Sequence, residues 1–155
     1  MKIFIALLIS FTSMTVAAIG LEDRVKQRDF VLGKYEKSLS RLPKSSAARV
    51  PLMLRIADTL SEQARDVAFL EVKKGCLVCK AGNPLRERAA SYYEQALEKT
   101  PLEERGSIYK QLGHLYGLLG KTERSVALYK TVIKEHAGEP VVGDAYFALG
   151  DLYYK

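Results

Sequence analysis

Residues that carry chemistry are scarce in this chain of 155 residues, which has only two histidines and two cysteines. It contains no HExxH motif, no glycine-rich phosphate loop and no paired-carboxylate site. A structural zinc site needs a full tetrahedron of ligands, and His114 and His136 lie far along the chain from Cys76 and Cys79. Covalent haem attachment would require a histidine after the second cysteine, where the sequence has Lys80. These absences predict a protein without a metal, a cofactor or enzymatic activity.

Long apolar runs are also missing, except at the start of the chain. The run IFIALLISFTSM, residues 3–14, is too short to cross a bilayer comfortably, and Lys2 precedes it. The small residues of TVAAIG follow it, as is typical of a signal peptide. We predict a signal peptide over residues 1–18 with cleavage after Ala18 or Gly20; a retained membrane anchor is the alternative. No cysteine follows the run as a lipid-attachment site, so we expect a soluble periplasmic or secreted protein.

The net charge of +6 is concentrated near one end of the chain. Residues 21–55 hold nine Lys and Arg against four Asp and Glu, whereas residues 56–155 hold fourteen of each kind. A basic protein can bind nucleic acid, but export argues against that partner. An anionic lipid surface, an anionic envelope polymer or an acidic partner protein fits an exported chain better.

Residues 21–45 have the pattern of a basic amphipathic helix. Apolar residues recur at steps of three and four, which places them on one helix face: Leu21, Val25, Leu32, Tyr35, Leu39 and Leu42. The opposite face carries Lys26, Lys34, Lys37, Arg41 and Lys44. Such a helix can lie on an anionic membrane, but it more often docks on its own domain and leaves its charges in water. We therefore favour docking and keep contact with an anionic surface as the alternative.

The remainder, residues 46–155, is predicted to be entirely helical, because no stretch alternates apolar and polar residues for long. A break is expected near 74–83, which contains both cysteines. Asn83 before Pro84, and Thr100 before Pro101, are typical helix starts, with Asn83 and Thr100 as the capping residues. The fold class predicted from the sequence is all-α.

One eight-residue pattern occurs twice. YKQLGHLY starts at Tyr109 and YFALGDLY starts at Tyr146, which is 37 residues later. The helix after the first copy carries Ser125 and Tyr129, and the corresponding pair one unit earlier, Ala89 and Tyr93, lies 36 residues before it. This pattern resembles the tetratricopeptide repeat, which has a period of about 34 residues. The resemblance implies antiparallel helix pairs stacked as a solenoid, in a protein of the exported bacterial type.

Gly113 and Gly150 occupy equivalent positions of the repeated pattern, in the middle of predicted helices. Glycine in a helix costs about 1 kcal/mol relative to alanine, so a compensating contact is expected. We predict close approach of a paired helix at both glycines, with a small residue such as Ala89, Ser125 or Ala127 facing them.

The repeat is irregular at both ends. In the first unit, RIAD at residues 55–58 resembles the Leu-Gly site of the repeat. Ala57 lies 32 residues before Ala89, whereas Gly113 lies only 12 residues before Ser125, so about twenty residues are inserted as a longer helix and the cysteine loop. The third unit has a first helix and no second, and Phe147, Leu149, Leu152 and Tyr153 give it a wide apolar surface. Terminal repeats need a polar outer face. We therefore interpret the chain as the N-terminal part of a longer array, rather than one closed by an apolar cap.

In the family, the first helices of the repeats line a concave groove that binds peptides. The resemblance places six residues on that side: Lys110, His114, Leu118, Phe147, Asp151 and Tyr154. A solvated helix face is the alternative interpretation. A catalytic role for His114 is not expected, because the pattern places no Ser, Cys or carboxylate as its partner.

Cys76 and Cys79, in the motif CLVC, are predicted to form a disulfide, because an exported chain meets oxidising conditions. A redox-active pair is the alternative, although such pairs normally lie at a helix start in a β-α-β setting. The sequence thus predicts a non-catalytic scaffold of the cell envelope that binds an unidentified protein or peptide. An envelope thiol–disulfide protein is the second hypothesis.

Overall fold

The computed structural model describes residues 20–154 of the chain, which form six α-helices and one short 3-10 helix. Residues 20–154 contain no β-strand, which confirms the all-α class. The proposed signal peptide, residues 1–18, lies outside the described residues. The helices are α1 Leu21–Arg41, α2 Arg49–Lys73, α3 Asn83–Leu97, α4 Gly106–Leu118, α5 Thr122–Glu135 and α6 Val141–Tyr153, and the 3-10 helix is Leu102–Glu104.

Each helix packs on the next one along the chain, and α4 also contacts α6. One cluster of buried side chains joins α1, α2, α3 and α4; its most deeply buried members include Met53, Ile56, Leu60 and Leu112. A second cluster joins α5 to α6 through Tyr129, Val132, Ala145 and Leu149. None of the helices over residues 20–154 combines the length and the apolar character needed to cross a membrane.

The basic helix α1 docks on α2. Leu32 and Leu39, on its apolar face, are buried in the first cluster. Arg28 donates to Asp66 of α2 and pairs with Glu62 at 3.0 Å. The five cations singled out in the sequence point away from this contact and are exposed: Lys26, Lys34, Lys37, Arg41 and Lys44. The docked arrangement favoured by the sequence is therefore the one in the structure.

The two repeated glycines lie in different surroundings. A methyl group on Gly113 would lie 2.9 Å from Cζ of Tyr129, and Ser125 Oγ donates a hydrogen bond of 2.6 Å to the carbonyl oxygen of Gly113. The predicted close approach is confirmed there, but the side chain that faces the glycine is the large Tyr129 rather than a small residue, and Ser125 contacts Gly113 only through its carbonyl group. A methyl group on Gly150 would meet nothing within 4 Å. The same prediction is wrong at Gly150, because no residue among 20–154 approaches that side of α6, although the neighbouring Leu149 is buried against α5.

Both predicted capping residues have other roles. Thr100 is buried, and its hydroxyl donates to the carbonyl oxygen of Ala96 at 2.8 Å. The Thr100 hydroxyl therefore donates to a carbonyl group at the end of α3 and does not cap the next helix. Helix α4 begins only at Gly106. Asn83 is the first residue of α3, and its side-chain oxygen accepts a hydrogen bond from Arg86 rather than from a backbone N–H.

The cysteine loop connects α2 to α3. Gly75, with a φ of +89°, lets the backbone turn directly after α2, in a conformation that other residues rarely adopt. Cys76 and Cys79 are joined in a disulfide, with their Cα atoms 5.6 Å apart. The loop is held to α2 by a hydrogen bond from the Ala81 N–H to Glu71 Oε2, at 2.8 Å. Its tip is open to solvent, since Leu77 is 98% exposed.

Candidate functional site

A cavity of about 670 Å³ lies between α2 and α4, with α3 behind it. Its volume falls in the range of ordinary ligand sites, about 300–1,000 Å³. Most of the side chains that line it are polar, and they come from four helices: Tyr35 from α1, Arg55, Asp58, Glu62 and Arg65 among others from α2, Arg86 and Tyr93 from α3, and Gln111, His114, Leu115 and Leu118 from α4. The cavity is thus a polar groove with an apolar patch on the α4 side.

Tyr93 fixes one carboxylate of the groove. Its hydroxyl donates to Asp58 Oδ1, although its ring is buried among the core residues. Burial raises the pKa of Tyr93 above its ordinary value, and the hydrogen bond to Asp58 raises it further. The phenol therefore stays protonated and keeps Asp58 engaged.

Arg86 is the most buried cation of the groove. Its side chain leaves the first turn of α3, and the whole residue is only 8% exposed. Nη1 donates to Asn83 Oδ1 at 2.7 Å. Gly82 accommodates it: a methyl group there would lie 3.2 Å from Nη1 of Arg86 and 2.5 Å from the carbonyl oxygen of Ala64. Close contact between the start of α3 and α2 therefore places this guanidinium in the groove.

His114 lies on α4 in the wall of the same groove. Partial burial lowers the pKa of His114 below its ordinary value, and the positive charges of Arg86 and Arg65 lower it further. The imidazole is accordingly held in its neutral form by its surroundings near pH 7.

The six residues that the resemblance placed on the binding side do not form a single site. His114 and Leu118 line the groove, and both also line a smaller cavity of about 140 Å³ that includes Asp151 of α6. Lys110 is engaged within the protein, because its Nζ lies 2.9 Å from Asp144 Oδ2. Phe147 and Tyr154 are 74% and 96% exposed and line neither cavity.

The sequence reasoning missed most of the charged lining. Arg55, Asp58, Glu62 and Arg65 follow one another at steps of three and four, which places them on one face of α2. That spacing was a usable signal for a polar helix face directed at a cavity. Arg86 gave no comparable signal, since its burial results from the packing of α3 against α2.

One group of side chains in the described part of the chain has the composition of a metal site. The ligand atoms of Glu71, Cys76 and Cys79 lie within 4.8 Å of one another. Both sulfur atoms are joined in the disulfide, however, and the thiolate form is the one that binds metals. The oxidised loop therefore offers a metal ion only the Glu71 carboxylate.

Compared with known protein families, with curated proteins and with solved structures, the chain finds no match in any of the three. The tetratricopeptide resemblance therefore depends on the residues of this chain alone, and it stays a prediction.

Proposed function

We propose that this protein is a non-catalytic scaffold of the tetratricopeptide type, exported to the cell envelope, which binds an extended peptide or a partner's helix. The binding surface is the groove between α2 and α4. The groove itself is the observation that supports the proposal most: about 670 Å³ of open space lined mainly by α2 and α4. The close contact of Gly113 with Tyr129 also fits such a repeat, because it is the kind of helix pairing that the pattern predicts.

Rigid walls suit this role. The faces of α2 and α4 directed away from the groove are anchored in the first core cluster, in which Ile56, Leu60 and Leu112 are at most 2% exposed. Side chains held in place by such packing lose little further conformational freedom when a ligand binds. Such packing would give the scaffold a preorganised binding surface.

Selection of peptides from a random display library on the purified chain tests the proposal. We expect Leu118→Glu to weaken the binding of the selected peptides by about tenfold, because it removes an apolar contact and adds a negative charge in the groove. Leu118 is 49% exposed, so the change should leave folding intact. Leu77→Glu is the matched control at the tip of the cysteine loop. Equal losses for the two variants, or selected peptides indifferent to Leu118→Glu, would argue against the groove.

The thiol–disulfide hypothesis is tested separately with Cys79→Ser. Cys79 lies before the first turn of α3, so neither cysteine benefits from the helix N-terminus that commonly activates a redox thiol. We expect peptide binding to persist, with a stability loss of at most about 2 kcal/mol from opening so short a loop. Loss of peptide binding in a variant that remains helical by circular dichroism, together with thiol–disulfide exchange in the unaltered chain, would favour the redox role.

A further inference from the structure

Arg86 is a buried cation without a carboxylate partner in the part of the chain that the structure describes. The residue is only 8% exposed, yet Asn83 Oδ1 is the one acceptor it has among residues 20–154, and it belongs to no ion pair there. Buried arginines are normally paired, because removing a charge from water is costly without compensation. A neutral amide at one nitrogen leaves most of the five N–H donors of this guanidinium for the groove.

Two further guanidinium groups line the same groove without an ion pair in the described part of the protein. These are Arg55 and Arg65, both on α2. The two carboxylates of the lining are already engaged, since Asp58 accepts the hydroxyl hydrogen of Tyr93 and Glu62 pairs with Arg28 of α1 at 3.0 Å. The hydrogen bond from the neutral phenol leaves Asp58 its negative charge, so the groove lining in the described part of the chain holds three arginines against two carboxylates, an excess of one positive charge.

We propose that the groove between α2 and α4 recognises an acidic peptide, with an Asp or Glu side chain of the ligand bound at Arg86 and Arg65. The proposal rests on the proposed function and specifies its ligand. A carboxylate suits the site because the planar guanidinium fork can bind its two oxygens together, in a geometry that lysine does not offer. The space of about 670 Å³ admits a segment of several residues, and Leu118 offers an apolar contact beside the charges.

The probes are hexaglutamate and hexaglutamine peptides, titrated into the purified chain at low ionic strength by calorimetry. We expect hexaglutamate to bind and hexaglutamine to give no heat. Arg86→Gln is expected to weaken hexaglutamate binding by about tenfold, the loss typical of a charge-assisted contact at a partly enclosed site. Lys130→Gln is the matched control, because it removes one charge from an exposed position of α5 outside the groove lining, and we expect a change below about twofold.

His114 supplies a second readout that does not depend on heat. The charged groups that share its cavities are Arg55, Asp58, Glu62 and Arg65 of α2, Arg86 of α3 and Asp151 of α6. A carboxylate placed beside Arg86 and Arg65 favours the imidazolium form, so hexaglutamate should raise the pKa of His114 measured by NMR. In Arg86→Gln without peptide, the pKa of His114 should also be higher than in the unaltered chain, because one repelling charge is gone. Added hexaglutamate should then raise this pKa by less than it does in the unaltered chain.

Three outcomes would overturn the proposal: hexaglutamate that does not bind, binding indifferent to Arg86→Gln, or equal losses in Arg86→Gln and Lys130→Gln. Inorganic sulfate forms a further arm. If it raises the pKa of His114 as much as hexaglutamate does and displaces the peptide at equal concentration, the site takes free oxyanions and the acidic-peptide assignment fails. If Arg86→Gln disturbs the helical circular dichroism, Arg65→Gln replaces it, because Arg65 is exposed.

Failure of this inference is distinguishable from failure of the proposed function. Library peptides that need Leu118 but contain no acidic residue would leave the scaffold role standing and remove the acidic ligand. If the library yields no peptide but hexaglutamate binds at Arg86, the anion-binding site stands and the role as a general peptide-binding scaffold fails.

Discussion

Replacing Gly113 with alanine is expected to lower the free energy of unfolding by about 1–3 kcal/mol, the usual cost of overpacking a well-packed core. The added methyl would lie 2.9 Å from Cζ, 3.0 Å from Cε1 and 3.2 Å from Cε2 of Tyr129. This ring is only 4% exposed, so it cannot move away without disturbing the contacts between α5 and α6. The steric cost should exceed the gain of about 1 kcal/mol that alanine brings inside a helix.

The matched control is Gly150→Ala, at the equivalent position of the repeated pattern. A methyl group there meets nothing within 4 Å, so only the preference of helices for alanine remains. We expect the free energy of unfolding to rise by about 0.5–1 kcal/mol. Urea denaturation of both variants gives the comparison, and shifts of the same sign would show that α4 and α5 are not in close contact at Gly113.

Replacing Asp66 with alanine is expected to lower the free energy of unfolding by about 2–3 kcal/mol, the upper range for hydrogen bonds to charged groups. Asp66 is only 8% exposed on α2, where it accepts a hydrogen bond from Arg28 and lies 3.7 Å from Nε of Arg24. Its loss leaves the half-buried Arg28 with Glu62 as its ion-pair partner. Because both arginines belong to α1, the loss should appear as weaker docking of this helix.

Asp23→Ala makes the same chemical change at an exposed pair. Asp23 lies on α1, 3.8 Å from Nζ of Lys26, and both side chains are largely in water. Such pairs contribute less than about 1 kcal/mol. Urea denaturation measures the free energy of unfolding of both variants, and the comparison is valid if their m-values equal that of the unaltered chain. If Asp66→Ala proves as mild as Asp23→Ala, the docking of α1 does not depend on this contact and rests on its buried apolar face instead.

The sequence predicted the parts of the fold that depend on local pattern. Spacings of three and four residues were enough to find the helices, because one face of each is buried. Gly113 was recognised as a close contact since glycine in a helix needs a compensating contact, and the disulfide followed from the expected oxidising compartment. These inferences require no knowledge of which distant segments meet.

The features that failed or were missed depend on tertiary contacts. Thr100 resembles a capping residue, but carbonyl groups at the end of α3 compete for its hydroxyl. Gly150 lacks the neighbour that Gly113 has, which no repeat pattern reveals. The ion pair of Lys110 with Asp144 was missed because it joins α4 to α6. The acidic-ligand inference depends on the burial of Arg86. This burial results from the packing of α3 on α2 near Ala64.

Mapping a selected peptide onto the ¹⁵N-labelled chain by backbone-amide chemical shifts tests the central claim most directly. That claim is that the groove between α2 and α4 is the binding surface. It predicts the largest shifts at residues 55–65 of α2, around Arg86 at the start of α3, and at residues 111–118 of α4. Shifts confined to the cysteine loop, to the basic face of α1 or to the exposed aromatic side of α6 would contradict it.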